Sequence, residues 1–229
     1  MAWERIQRDG RMLVGMDASY PPFEFVNGEG TLMGYDVDLA RRIGEILGVE
    51  VHFVSVGRDG FYDALAARKV DIIISALPYD ASQTQDVLYS PEYFDAGQVL
   101  LVREDEARIK NSGDLDGTEV GVELGSAAHM EVEHRARRSD IRLVFYASPE
   151  EAMQALLDGE VDAAVADSVA AYGFQRQQDG IRKAGKSLTQ EAYVTAVRID
   201  SFILSAKVNE ALSKLSQEEF LKSLSATWF

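Results

Sequence analysis

The sequence contains no cysteine and only three histidines. A disulfide framework, a thiol nucleophile and a thiolate zinc site are therefore excluded, while the absence of cysteine suits a cytosolic and an exported bacterial protein equally. No run of about 18 apolar residues occurs, so the sequence offers no membrane-spanning helix. Basic residues are few, 23 against 38 acidic ones, for a net charge of −15. That lacks the basic footprint nucleic acid requires and disfavours anionic lipid, so neither is expected as a partner. The opening MAWERIQRDGRMLVG has no apolar stretch of the signal-peptide kind, which leaves a chain that never carried an export signal or a mature form without one. There is no G-x-S-x-G elbow, P-loop or H-E-x-x-H. What is present is 229 residues, 46% of them apolar, enough for one large core or two modest ones.

Short β-branched runs alternate with amphipathic stretches. Strands are predicted at 12–16, 51–56, 70–76, 98–103, 119–122, 142–146, 163–166 and 193–198. Helices are predicted at 36–47, 60–67, 127–137, 149–157, 169–177 and 201–215. Ser148 reads as an N-cap ahead of Pro149, with Glu150 and Glu151 in the first turn. Asp36 reads as a helix cap and Gly48 as the matching stop. Strands separated by helices give βαβ units and mainly parallel sheets. The segment ALAARKVDIIIS recurs 91 residues later as ALLDGEVDAAVA, keeping the Val-Asp pair that precedes each strand. Any two αβ units share some of this, but Val14-Gly15 and Val120-Gly121 open the two halves alike, so two similar lobes are expected. Glu104-Asp105-Glu106 reads as a solvated exit from the first.

The densest signal is VGMDASYPPFEF, residues 14–25, where a strand ending at Asp17 runs into Tyr20, Pro21 and Pro22. An acid and an aromatic are thereby set at the carboxyl end of a strand, the edge where open α/β sheets bind ligands. Asp17 alone could equally cap a turn. Asp167, ending AVAD, could cap the helix after it, and that role can coexist with ligand binding. Glu24 reads as an outward strand residue between Phe23 and Phe25. His129 and His134, five apart amid EVEHRARR, read as solvated surface, and no metal site or cofactor is expected.

Together with GYDVDLARRIGEILG, VDIIISAL, SPEYFDAGQVLLVR, VGVELGS, EAMQALLDGEVDAAVADS and AYVTAVR, in that order, this segment resembles the type II periplasmic solute-binding proteins. The resemblance is to the group that delivers polar amino acids to ABC importers. It implies an α/β clamshell of two lobes, each a mainly parallel sheet flanked by helices, joined by two hinge strands near 99–103 and 193–198. Lobe one would be 1–102 with 194–229, and 103–193 would be inserted as lobe two. It further implies a monomeric, non-enzymatic, periplasmic or lipid-anchored extracellular protein that closes on a small polar ligand and hands it to a membrane permease.

By the same resemblance Asp17 and Tyr20 would hold the ligand side chain, and Asp167 its α-amino group. Ser75, with Ala76 and Leu77 on the same strand end, would contact the amino end. Gly125 and Ser126, with Ala127 after them, would receive a carboxylate. Gln83 stands where the family places a carboxylate-gripping arginine, and Pro78 where it has a threonine. Arg58 stands where it has an aromatic, and Ala127 where a hydroxyl is common. Either Arg58 has assumed the anion-binding duty, or the ligand is an amine or polar cation held by Asp17 and Asp167, or Arg58 is a surface side chain. Two acids against one arginine favour a ligand carrying positive charge. Alternatives on the same fold are the sensor domain of a membrane receptor and a cyclohexadienyl-dehydratase-like enzyme with Glu24 or Glu123 as general acid.

Overall fold

In a computed structural model describing residues 2–229, the alternating pattern yields two α/β units. The first unit begins with α1 (Ala2–Asp9), β1 (Arg11–Met16), β2 (Ser19–Tyr20), β3 (Glu24–Val26) and β4 (Leu32–Met33). It continues through α2 (Tyr35–Leu47), β5 (Glu50–Ser55), α3 (Phe61–Ala66), β6 (Ile72–Pro78), β7 (Val87–Tyr89) and β8 (Phe94–Asp95). The second unit, Asp95–Glu191 with Phe229, holds β9 (Gln98–Arg103), β10 (Thr118–Glu123), α4 (Ala127–Ala136) and β11 (Ile141–Tyr146). After these come α5 (Pro149–Asp158), β12 (Ala163–Asp167), α6 (Ser168–Gln177) and β13 (Ile181–Lys183). The chain then completes the first unit with β14 (Ala192–Arg198), α7 (Phe202–Gln217) and α8 (Phe220–Trp228).

Each unit is built on the same sheet. The first runs β5-β1-β6-β14-β7, with β8 also paired to β14, and the second runs β11-β10-β12-β9-β13. In both, the second strand is parallel to its two neighbours and the fourth is antiparallel to its own. A small sheet, β2-β3-β4, branches from the first unit. Buried aliphatics fill both sides of the second sheet, Leu101, Met153, Leu156 and Val161 on one and Leu100, Val120, Val122 and Val132 on the other. The strand β9 pairs with β12 and β13, so it belongs to the second unit; the boundary expected near 102 falls instead between Phe94 and Asp95.

The sequence repeat has a physical cause. Asp71 accepts the N–H of Leu13 at 2.8 Å, and its own N–H bonds the Leu13 carbonyl. Asp162 does the same with Glu119, accepting at 3.0 Å. Each aspartate thus ties the start of its strand to the neighbouring parallel strand, where the ladder has not yet begun. Asp71 also meets the Arg5 guanidinium and is buried, whereas Asp162 is half-buried and meets Arg108 at 3.5 Å. Replacing Asp71 by alanine is expected to cost about 2 kcal/mol, and Asp162 about 1 kcal/mol, because the buried donor loses more when stranded. Urea unfolding of the two variants checks that order.

Several local expectations are corrected. Helix α2 begins at Tyr35 with Gly34 as its cap, and Asp36 makes no capping bond. Gly34 has φ of 139°, and a Cβ there would lie 2.2 Å from the Phe23 carbonyl oxygen, so glycine alone allows this entry. Glu106 is not solvated like Glu104 and Asp105, because its carboxylate turns in to receive the Arg108 backbone at 2.5 Å and guanidinium at 2.8 Å. Those bonds hold its carboxyl down to about 2. His129 is half-buried, accepting the Gly125 N–H at Nδ1 and packing on the Phe145 ring. Ser148 and Gly48 cap as expected. Among the described residues, no helix is long and apolar enough to cross a membrane.

Candidate functional site

Register brings the first unit's candidates to one edge. Strands β1 and β5 end together at Met16 and Ser55, and β6 runs beside β1 with Val14 opposite Ile72. Asp17 and Arg58 therefore follow the carboxyl ends of β1 and β5, and Ser75, within β6, lies beside Asp17. The Asp17 carboxylate is half-buried and takes two internal bonds, from the Ser19 hydroxyl at 2.7 Å and the Arg58 backbone N–H at 3.1 Å. It thus fastens the loops after β1 and β5 to each other. Tyr20 stacks on Phe23, centroids 5.6 Å apart, and Phe23 is anchored among Tyr35, Phe94 and Tyr193. The Arg58 guanidinium lies 5.4 Å from the Tyr20 centroid, and its Nη1 approaches the Ala76 carbonyl at 3.5 Å.

Beneath this edge lies an arrangement the sequence did not disclose. Glu24, expected to point outward, is completely buried. Its Oε1 accepts the Ser75 hydroxyl at 2.7 Å, and that hydroxyl in turn accepts the Asp17 N–H at 3.0 Å. Asp36, also completely buried, receives the Ala76 N–H at 2.5 Å and the Tyr93 hydroxyl at 2.9 Å, both on Oδ2. The two buried carboxyl groups interact, and among the described residues neither Glu24 Oε2 nor Asp36 Oδ1 has a hydrogen-bond partner. Protonation of one of the two lowers the cost of burying both. Burial, then the Asp36 charge, pushes Glu24 up to about 10, and burial also raises Asp36. The same burial lifts the Tyr93 phenol, so it stays a donor.

The acid pair fixes the strand end above it. Ala76 has φ of 39°, a left-handed conformation costly for a residue with a Cβ, and its N–H is the one Asp36 holds. Ser75, Ala76 and Leu77 are all buried. The hydroxyl contact to a ligand that the resemblance implies for Ser75 is therefore taken internally. Gln83 sits half-buried on the 3₁₀ turn Ala81–Gln83, its amide 3.4 Å from the Ser82 hydroxyl.

The second unit has its own pocket at the carboxyl ends of β10 and β12. It encloses about 180 Å³ and is lined by Gln98, Glu123, Ser126, Ala127 and Asp167, among others. Asp167 caps α6 through Oδ1, which accepts the Ala170 N–H at 2.8 Å, and Oδ2 stays open. Ser126 caps α4, accepting the His129 N–H at 3.1 Å. The N–H groups of Gly125 and Ser126 are already bonded, to His129 and to the Glu123 carbonyl. The donors left for an anion are thus the first helical N–H groups, at Ala127 and Ala128, which have no intrahelical acceptor. Larger hollows of about 500 and 570 Å³ lie among surface helices of this unit and lack such convergence. Among the described residues no cluster suited to a metal ion occurs.

The sequence profile of the bacterial extracellular solute-binding proteins, family 3, matches residues 12–229. The chain is 28% identical over 227 residues to the L-cystine-binding protein TcyJ of Escherichia coli strain K12, covering 98% of this chain and 85% of that protein. It is 30% identical over 229 residues to the L-arginine-binding protein of Pseudomonas aeruginosa, covering 96% and 88%. The fold is that of the L-cystine solute receptor of Neisseria gonorrhoeae in its unliganded open conformation, at a TM-score of 0.85, 24% identity and coverage of 100% and 96%.

Proposed function

The chain belongs to the bacterial extracellular solute-binding proteins, family 3, and on that footing we propose that it captures a small polar α-amino acid or close derivative outside the cytoplasm. The observation that carries this reading is the second unit's pocket. An open carboxylate oxygen on Asp167 and the unpaired N–H groups opening α4 face one space of about 180 Å³. An ammonium requires the first and a carboxylate the second, and an α-amino acid carries both. The positive charge expected of the ligand is then its α-ammonium. Asp17, Tyr20 and Arg58 are the candidate ligand contacts at the first unit's own strand edge, with Ser75 as a support beneath them. Membership of the family supports, as part of the same reading, capture by hinge closure and delivery to the permease of an ABC importer.

An enzymatic reading has less support. Glu24 is the desolvated acid that a dehydratase-like step would need, yet its carboxyl is enclosed and faces Ser75 and Asp36. Thermal unfolding of refolded protein against α-amino acids, polyamines, betaines and small organic acids tests the assignment. A ligand at 100 times its dissociation constant adds about 2.7 kcal/mol of stability. Stabilisation by at least one α-amino acid, lost in Asp167→Ala, is expected. Stabilisation by amines or organic acids alone would overturn the reading.

A further inference from the structure

We infer that Arg58 makes the first unit's strand edge a receptor for a carboxylate-bearing ligand end and a barrier to guanidinium or ammonium side chains. The inference rests on the amino-acid-binding reading above and adds to it the charge class of the ligand. Arg5, Arg42, Arg108, Arg135 and Arg198 each lie against a carboxylate. Among the described residues, no carboxylate lies within ion-pair distance of the Arg58 guanidinium. It reaches away from Asp17, which holds Arg58 by the backbone, to the Tyr20 ring at 5.4 Å and the Ala76 carbonyl at 3.5 Å. The side chain is exposed, and although its charge also favours the ionised forms of the buried Glu24 and Asp36, most of its donors stand free at the strand edge.

Two consequences follow for a ligand. The Tyr20 face is the natural seat for a cationic side chain, and a guanidinium from the protein already occupies it. A second cation there would have to displace Arg58 or lie beside it, and like charges at that range repel. A carboxylate instead completes a charge-assisted, two-pronged bond that a planar guanidinium is shaped to make. Asp17 stands next to it as the acceptor for an ammonium. A ligand end carrying both groups therefore fits best, as in a diamino dicarboxylate, with a plain acidic side chain next and cationic ones last.

Calorimetric titration of the wild-type chain with meso-2,6-diaminopimelate, L-glutamate, L-arginine and L-lysine tests this, repeated with Arg58→Leu and Arg58→Lys. A carboxylate-ended ligand is expected to bind wild type at least tenfold more tightly than L-arginine. Arg58→Leu should weaken it at least tenfold and improve L-arginine, with Arg58→Lys between. Because the side chain is exposed, both variants should keep the wild-type thermal transition, and a switch in ligand ratio is not something a merely structural role would produce. Wild-type binding confined to cationic or uncharged side chains, or an unchanged ratio in Arg58→Leu, overturns the inference and leaves the amino-acid reading standing. Binding of no α-amino acid by any variant removes both.

Discussion

Replacing Glu24 by glutamine is expected to abolish most of the loss of stability that the wild-type chain suffers between about pH 6 and pH 9. Glu24 is raised from 4.5 to about 10 in the fold, by burial first and by the Asp36 charge second. Between those two values the folded chain holds a proton that the unfolded chain releases, so rising pH favours unfolding. Each pH unit costs up to about 1.4 kcal/mol while that difference lasts. Over three units the wild type should lose about 4 kcal/mol relative to the variant. Glutamine keeps the geometry, because its carbonyl can accept the Ser75 hydroxyl while its amide donates to Asp36 without a titrating proton. Below about pH 5 the two should differ little. Urea unfolding of both chains across the range checks it, and parallel profiles would mean that Glu24 does not hold the proton.

Asp36→Ala should be the most damaging single change near the site, destabilising by about 3–5 kcal/mol. It strands two fully buried donors, the Ala76 N–H and the Tyr93 hydroxyl, and removes the acceptor for the Glu24 proton. It also releases the left-handed Ala76, whose N–H Asp36 holds. Asp36→Asn retains an acceptor oxygen for the two donors, so most of the loss should return. Chemical denaturation of the pair separates the hydrogen bonds from the charge. An Asp36→Ala chain within about 1 kcal/mol of wild type would mean that the buried network contributes little.

Much of the fold was legible because local and global preferences agree. The apolar runs at β1, β6 and β12 were readable as strands, and Ser148, Pro149 and Gly48 as helix ends. The repeat was readable through Asp71 and Asp162, whose identical backbone bonds explain why the pair recurs. The helices α1 and α8 were not, since α1 buries only Trp3 and Ile6 and α8 only Leu224, too few for an apolar stripe to stand out. The strands β2, β3, β4 and β13 are two or three residues long, shorter than a period-two pattern needs.

Asp17 and Asp167 were legible as strand-end residues and Ser126 in the turn that opens α4, whereas Arg58 was singled out by the resemblance alone and the acids beneath were not legible. Glu24 and Asp36 were missed for a common reason. Each is polar at a position where local pattern offers a solvated or capping role, and their burial depends on being buried together, 12 residues apart in sequence. A carboxyl can enter a core when its proton is shared, and no single-residue propensity registers that. The adjacency of PFEF and GYDVD was the available signal.

The central claim, that the chain captures an α-amino acid through a zwitterion-matched pocket in its second unit, is tested most directly by titration calorimetry of unliganded protein with the common L-α-amino acids, run on wild type and Asp167→Ala. One-to-one binding of at least one amino acid by wild type, weakened in the variant by about two orders of magnitude as for a desolvated charged hydrogen bond, is the expected result. Wild-type binding that survives Asp167→Ala unchanged, or no binding of any amino acid, would contradict it.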